Sequence, residues 1–260
     1  MGKYRMDKLD KDSIATGAPR FWVPGPLSAG SRIDLPERAA RHVGVRRLRE
    51  GDAVVLFDGN RGEYAATLAK ITRQGVSADI GSRHDVERES PLRLTLAQGI
   101  SSGDRMDLTL QKATELGVTA IVPLACERSV VRLSPERAAR RLEHWRQILI
   151  SACEQCGRNR VPALAPVMDL EDWLASLGPT TDQRLLLDPL ADAGMAEVRP
   201  QAASGVLLLV GPEGGFAAHE LAATHRSGFQ GARLGPRILR TETAPLAAIA
   251  ILQALHGDLG

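Results

Sequence analysis

Residues Leu207 to Phe216 read LLLVGPEGGF, an apolar strand running straight into a turn of Gly211, Pro212, Glu213, Gly214 and Gly215. Glycines there free the main chain for positive φ and let a ligand approach it closely. The position is also apt, because ligands of parallel sheets bind outside the carboxyl ends of strands. The turn lacks the G-x-G-x-x-G spacing of a dinucleotide fingerprint and the Gly-Lys-Ser/Thr ending of a P-loop, so neither NAD nor ATP is expected. Taken alone, it reads as a tight strand-to-helix connection. Further on, a second Gly-Pro turn, LGPRILRTETA (Leu234 to Ala244), passes through Arg240, Thr241 and Glu242 into an apolar helix with Thr243 as its expected N-cap. Two such loops, each after an apolar strand, can together hold a flat heterocycle by main-chain hydrogen bonds.

Cysteine chemistry is the other option. Cys153-Glu-Gln-Cys156 has redox or zinc-ligand spacing, but a second ligand pair is missing and the pair falls inside an expected helix. Buried structural thiols are the expectation, with no metal. Cys126 makes the set odd, which argues for a reducing cytoplasm over a secreted disulfide framework. His42, in the first basic stretch, is read as structural.

The chain has 260 residues, 43% of them hydrophobic, enough for one large domain or two ordinary ones. Residues 1–19 read as a flexible leader. Residues 20–85 carry short alternating apolar runs broken by Asp58-Gly59 and Arg61-Gly62, the pattern of a small, mostly β barrel. GSRHDVERESP, Gly81 to Pro91, is polar and closed by proline, as a linker should be. Residues 91–260 alternate strands (LRLTLAQGI, TAIVPL, RLLLD, VLLLV) with helices, the longest capped by Ser134 and led by Pro135. That order predicts an α/β domain with a parallel sheet covered on both faces. No apolar run approaches the roughly 18 residues of a membrane span.

The net charge of +2 hides a polarised distribution. Arg20 to Glu50 hold seven Arg against three acids, Arg128 to Arg160 eight against three, while Val161 to Pro200 hold seven acids against two Arg. Two basic segments in a nearly neutral chain form a candidate nucleic-acid footprint; solvated helix faces would give the same counts. On that footing Arg20, Arg46, Arg47, Arg128, Arg158 and Arg160 are candidate RNA contacts.

GPEGGF followed by LGPRILRTETA resembles the cofactor-binding half of the ribosomal RNA small subunit methyltransferase E family, of the SPOUT superfamily. QKATELGV (Gln111 to Val118), ERS (Glu127 to Ser129) and ACEQCGRNRVP (Ala152 to Pro162) are similar to that family in the same order. The resemblance implies a PUA-like RNA-binding barrel followed by a methyltransferase domain with a C-terminal trefoil knot. It also implies a cytoplasmic homodimer, S-adenosylmethionine as methyl donor, and methylation of uridine N3 in 16S rRNA within the small ribosomal subunit, with neither DNA nor membrane as partner. By position, Leu187, Gly211, Glu213, Gly214, Gly215, Leu234, Gly235, Ile238, Leu239, Arg240, Thr241 and Ala244 would surround the cofactor. Glu213, then Glu242, would take or orient the N3 proton, and Arg240 would stabilise charge on the uracil oxygens. Ser102 stands where the family commonly has a basic residue, and Arg46 where leucine is usual. Competing readings are ribose 2′-O methylation by a related enzyme and a non-catalytic rRNA-binding protein; a thiol-disulfide role for Cys153 and Cys156 is the remotest.

Overall fold

The computed structural model describes residues 17–131, 133–200 and 204–260, so most of the expected leader lies outside the described residues. The chain divides into two compact units, residues 1–89 with 153–160, and residues 90–152 with 161–260.

In the first unit, β1 (Arg20–Trp22), β2 (Arg32–Asp34), β3 (Ala53–Phe57), β4 (Glu63–Ile71) and β5 (Val76–His84) form a sheet of order β1-β3-β4-β5-β2. Asp58 makes the β3–β4 turn by accepting a hydrogen bond from the Asn60 N–H at 2.9 Å, and Arg61 (φ 67°) and Gly62 (φ 69°) complete it in left-handed geometry. The core joins Phe21, Leu56, Leu68, Ala78 and Ile80 to Val43 and Ala39. These last two belong to a helix the alternation did not announce, α1 (Glu37–Val45), with its apolar residues four apart. Gly81 to His84, expected in the linker, instead extend β5.

The second unit contains β6 (Leu94–Gly99), α2 (Gly103–Glu115), β7 (Ala120–Ala125), α3 (Pro135–Cys156), β8 (Ala163–Leu164), β9 (Met168–Asp169), α4 (Leu170–Ser176), β10 (Gln183–Leu187), a 3₁₀ turn (Met195–Glu197), β11 (Val206–Val210), α5 (Ala218–Arg226), β12 (Gln230–Ala232) and α6 (Thr243–His256). The last turn of α3 belongs with the first unit. The sheet has the order β12-β10-β11-β6-β7-β8, with β9 beside β7 and every pairing parallel.

Its two-residue period sorts the apolar runs into two cores. Leu185, Leu208, Leu96 and Ile121, in register across β10, β11, β6 and β7, share a core with Met106 and Leu110 of α2, Trp145 and Leu149 of α3 and Ile249 and Leu252 of α6. Leu186, Leu209 and Ala97, one residue on, face Leu170, Trp173 and Leu174 of α4, with Phe229. Each fully buried leucine contributes roughly 1.5–3 kcal/mol, so this two-sided burial explains why β10 and β11 are continuously apolar.

Helix ends follow local chemistry. The Ser134 Oγ accepts from the Arg137 N–H at 3.4 Å, capping α3 as expected. At α6 the cap differs from expectation: Thr243 is the first helical residue and Glu242 precedes it. The Arg240 carbonyl already accepts from the N–H groups of Thr243 and Ala244, both at 2.9 Å, so the turn closes one residue earlier.

Candidate active site

The carboxyl ends of β6 and β11 lie side by side, Gln98 paired with Val210. The Gly211–Pro212 turn crosses β6 so tightly that a Cβ on Gly99 would stand 2.5 Å from Pro212 Cδ. Gly215, at φ 66°, turns the chain toward α5. The Thr241 Oγ donates to the Gly211 carbonyl at 2.9 Å, pinning the second loop on the first.

Between the loops lies a cavity of about 530 Å³. Ten of the twelve expected cofactor positions line it: Leu187, Gly211, Glu213, Gly215, Leu234, Ile238, Leu239, Arg240, Thr241 and Ala244. Gly214 and Gly235 are not among its lining residues. A Cβ on Gly214 would instead meet the Arg128 carbonyl at 2.8 Å and the Arg128 Cβ at 2.9 Å, so this glycine makes room for a neighbouring loop. Gly235 serves a left-handed turn at φ 75°.

Arg105, in the first turn of α2, is the principal lining residue that sequence reading missed. Its guanidinium lies 3.2 Å from Glu213 Oε1 and 3.8 Å from Glu242 Oε2. Ser102 adds its main-chain N–H to Glu213 Oε1 at 2.9 Å, so a backbone donor and Arg105 supply positive character where a basic side chain was expected at 102. A signal existed, since SSGDR follows β6 at the same sheet edge as the glycine turn.

Burial by itself would raise the Glu213 carboxyl, but the hydrogen bonds from Ser102 and Arg105 outweigh it and hold the group below the usual carboxylate range. The Glu213 and Glu242 Oε2 atoms are both buried without a hydrogen-bond partner. Of the two residues only Glu213 lines the cavity, so its carboxylate is the acceptor that remains for a donor brought by a ligand. Arg240 is exposed at the cavity, and Asp188 adds a further carboxylate to its lining.

The candidate RNA contacts divide. Arg46, Arg47 and Arg128 are exposed. Arg158 is buried against Glu89, and Arg20 pairs with Glu63 and donates to Asn159 Oδ1 at 2.6 Å. These two correct the sequence expectation, because each is already committed to a carboxylate and Arg158 is itself buried, so neither is free for a phosphate. Arg160 is half-buried and lies 2.8 Å from Glu87. The Cys153 thiol is fully buried and pushed up to about 12, mainly by burial, and Cys126 likewise, in keeping with structural thiols. Among the described residues no cluster of His, Cys, Asp and Glu could hold a metal ion, and no helix is long and apolar enough to cross a membrane.

The model of a family described as an RNA methyltransferase domain matches residues 88–253, and that of an RNA methyltransferase PUA domain matches residues 35–81. Fold and site together therefore define an RNA methyltransferase: an α/β domain preceded by a PUA-like domain. The chain is 32% identical to ribosomal RNA small subunit methyltransferase E of Bacillus subtilis, over 99% of this chain and 100% of that one. The protein of the same name from Buchnera aphidicola is also 32% identical, over 93% of this chain and 98% of its own. A crystal structure of the Neisseria gonorrhoeae protein of that name, bound to S-adenosyl methionine, matches with a TM-score of 0.89 at 45% identity, covering 94% of this chain and 100% of that one. The chain belongs to the ribosomal RNA small subunit methyltransferase E family.

Proposed function

We propose that this protein transfers a methyl group from S-adenosylmethionine to N3 of a uridine in 16S rRNA. The observation that carries this reading is the cavity between the two loops, with Glu213, Arg105 and Arg240 at one site. The residues fit the cofactor: the volume suits a nucleoside-sized ligand, the glycine turns bring main-chain groups to the wall, and Glu213 and Asp188 complement a cationic sulfonium. When bound, S-adenosylmethionine supplies a methyl carbon already activated for displacement.

The chain's own task is positioning and proton control. Uridine N3 is protonated at neutral pH and becomes nucleophilic only as its proton leaves. Glu213, with a lowered pKa, is a weak base; its open Oε2 suits accepting the N3–H hydrogen bond and orienting the ring. Glu242, behind the cavity wall with its Oε2 3.8 Å from the same arginine, is the second carboxylate in this reading. Arg105 and Arg240 carry the negative charge that spreads onto the uracil oxygens.

Residues 20–85 form the RNA-binding PUA-like barrel in this reading, and residues 91–260 the SPOUT domain, knotted as a trefoil through the loops around the cavity. The enzyme works as a cytoplasmic homodimer on the small subunit; the free cysteines fit a reducing compartment, and exposed Leu108, Leu255 and Leu259 offer an apolar surface for a second copy. The test is incubation with labelled S-adenosylmethionine and either 16S rRNA or assembled small subunits, followed by nucleoside analysis. The expected product is 3-methyluridine. A ribose-methylated product, or cofactor binding without any methylation, would overturn the reading.

A further inference from the structure

We infer that the groove along the first half of α3 is a docking site for the phosphodiester backbone of the substrate RNA, separate from the cofactor cavity. The inference rests on the rRNA methyltransferase reading and adds a binding surface to it. Arg137, Arg140, Arg141 and His144 stand at helical spacings of three and four, so they share one face of α3. With Val131 and Leu133 they line an open cavity of about 470 Å³.

No carboxylate lines that cavity. Two flanking acids are engaged elsewhere, Glu136 with the Ser134 Oγ at 2.8 Å and Glu143 with the Gln147 amide at 2.7 Å; a third, Asp107, pairs with the groove's own His144 Nε2 at 2.7 Å and leaves the three arginines as its unpaired charges. Among the described residues, none of the three guanidinium groups has a carboxylate partner. Arg137 and Arg141, four apart, repel each other on a helix. An anionic partner turns that cost into binding, and the apolar floor of Val131 and Leu133 suits a ribose or base edge between phosphates.

Beside the groove, Arg141, Val131 and Leu133 also line a small recess with Ser101, Gly103 and Trp145. There the Ser101 Oγ and Trp145 Nε1, both on residues 2% exposed, have no hydrogen-bond partner. Ser101 lies in the loop before α2 and Gly103 opens that helix, two residues before Arg105 of the cofactor cavity, so the groove and the cavity are joined through the N-terminal end of α2. Three guanidinium groups without carboxylate partners favour a polyanion over a protein partner.

The experiment measures binding of a full-length 16S rRNA transcript across a salt series, without cofactor, for the wild type, the triple variant Arg137→Ala/Arg140→Ala/Arg141→Ala, and the triple lysine variant at the same positions. Alanine is expected to lower the slope of log K against log salt by roughly 2, at about 0.7–0.9 per phosphate contact, and to raise KM for RNA about tenfold. Affinity for S-adenosylmethionine and kcat stay unchanged, and lysine restores most of the slope. An unchanged slope and KM in the alanine variant would overturn the inference. So would a changed oligomeric state with RNA affinity intact, which would make this face a contact between copies. Absence of 3-methyluridine from the wild type would sink the uridine-N3 reading instead, while the salt slope would still report on the groove.

Discussion

Arginine does opposite work in two regions of this molecule. Around Glu63, Glu89 and Glu154 it is spent internally: Arg20 and Arg88 converge on Glu63, Arg158 on Glu89, and Arg38 on Glu154 at 2.7 Å. On the first half of α3 the groove arginines stand open, without carboxylate partners among the described residues. Composition cannot tell the two apart, since both lie in stretches with an excess of about four or five positive charges. The difference is where the acids are. Glu63 and Glu89, outside the basic stretches in sequence, fold back onto the first set, whereas among the described residues no carboxylate reaches Arg137, Arg140 or Arg141 of the second.

The comparison breaks first at Glu63, the most buried carboxylate of the paired set. Burial would raise its carboxyl, but Arg88 and Arg20 together lower it below the usual range. Its contribution to stability is therefore present above the ordinary carboxylate pKa and is lost as pH falls through the lowered folded value. Glu63→Gln strands two arginines and is expected to cost roughly 3 kcal/mol, measured by urea unfolding at neutral pH, with the deficit shrinking toward acid. A variant as stable as the wild type would mean that the internal pairs are not structural.

Arg105 stands between the two regimes, paired with carboxylates yet lining a cavity. Arg105→Met is expected to lower kcat for RNA methylation by about 10²-fold with little change in unfolding midpoint. A loss of stability without a loss of kcat would move it into the structural set. Gly214→Val comes next: its side chain collides with the Arg128 carbonyl and displaces the loop, reducing S-adenosylmethionine affinity by about tenfold in calorimetry. Equal affinity would show that the glycine turn tolerates movement. Smallest is Arg41→Ala, which removes the exposed pair with Glu37 and should change stability by less than about 0.5 kcal/mol.

The sequence by itself determined the elements and the binding edge. RLLLD and VLLLV had to be strands buried on both faces, and the glycine turn after VLLLV had to fall at a carboxyl end. Ser134 and Pro135 marked the start of α3, and two loops of one chain carried most of the cavity wall, with the end of β10 and Arg105 among the rest. What escaped was whatever depends on distant partners. Helix α1 was hidden because its apolar residues are few and sit among arginines. Arg105 was hidden because its two glutamates are more than a hundred positions away, and Gly214 was assigned to the cavity although its constraint comes from Arg128. Periodicity and local turn chemistry act over a few residues and can be read along the chain. Only the tertiary structure decided which arginines are neutralised, because an ion pair depends on distances through space that the linear order does not contain.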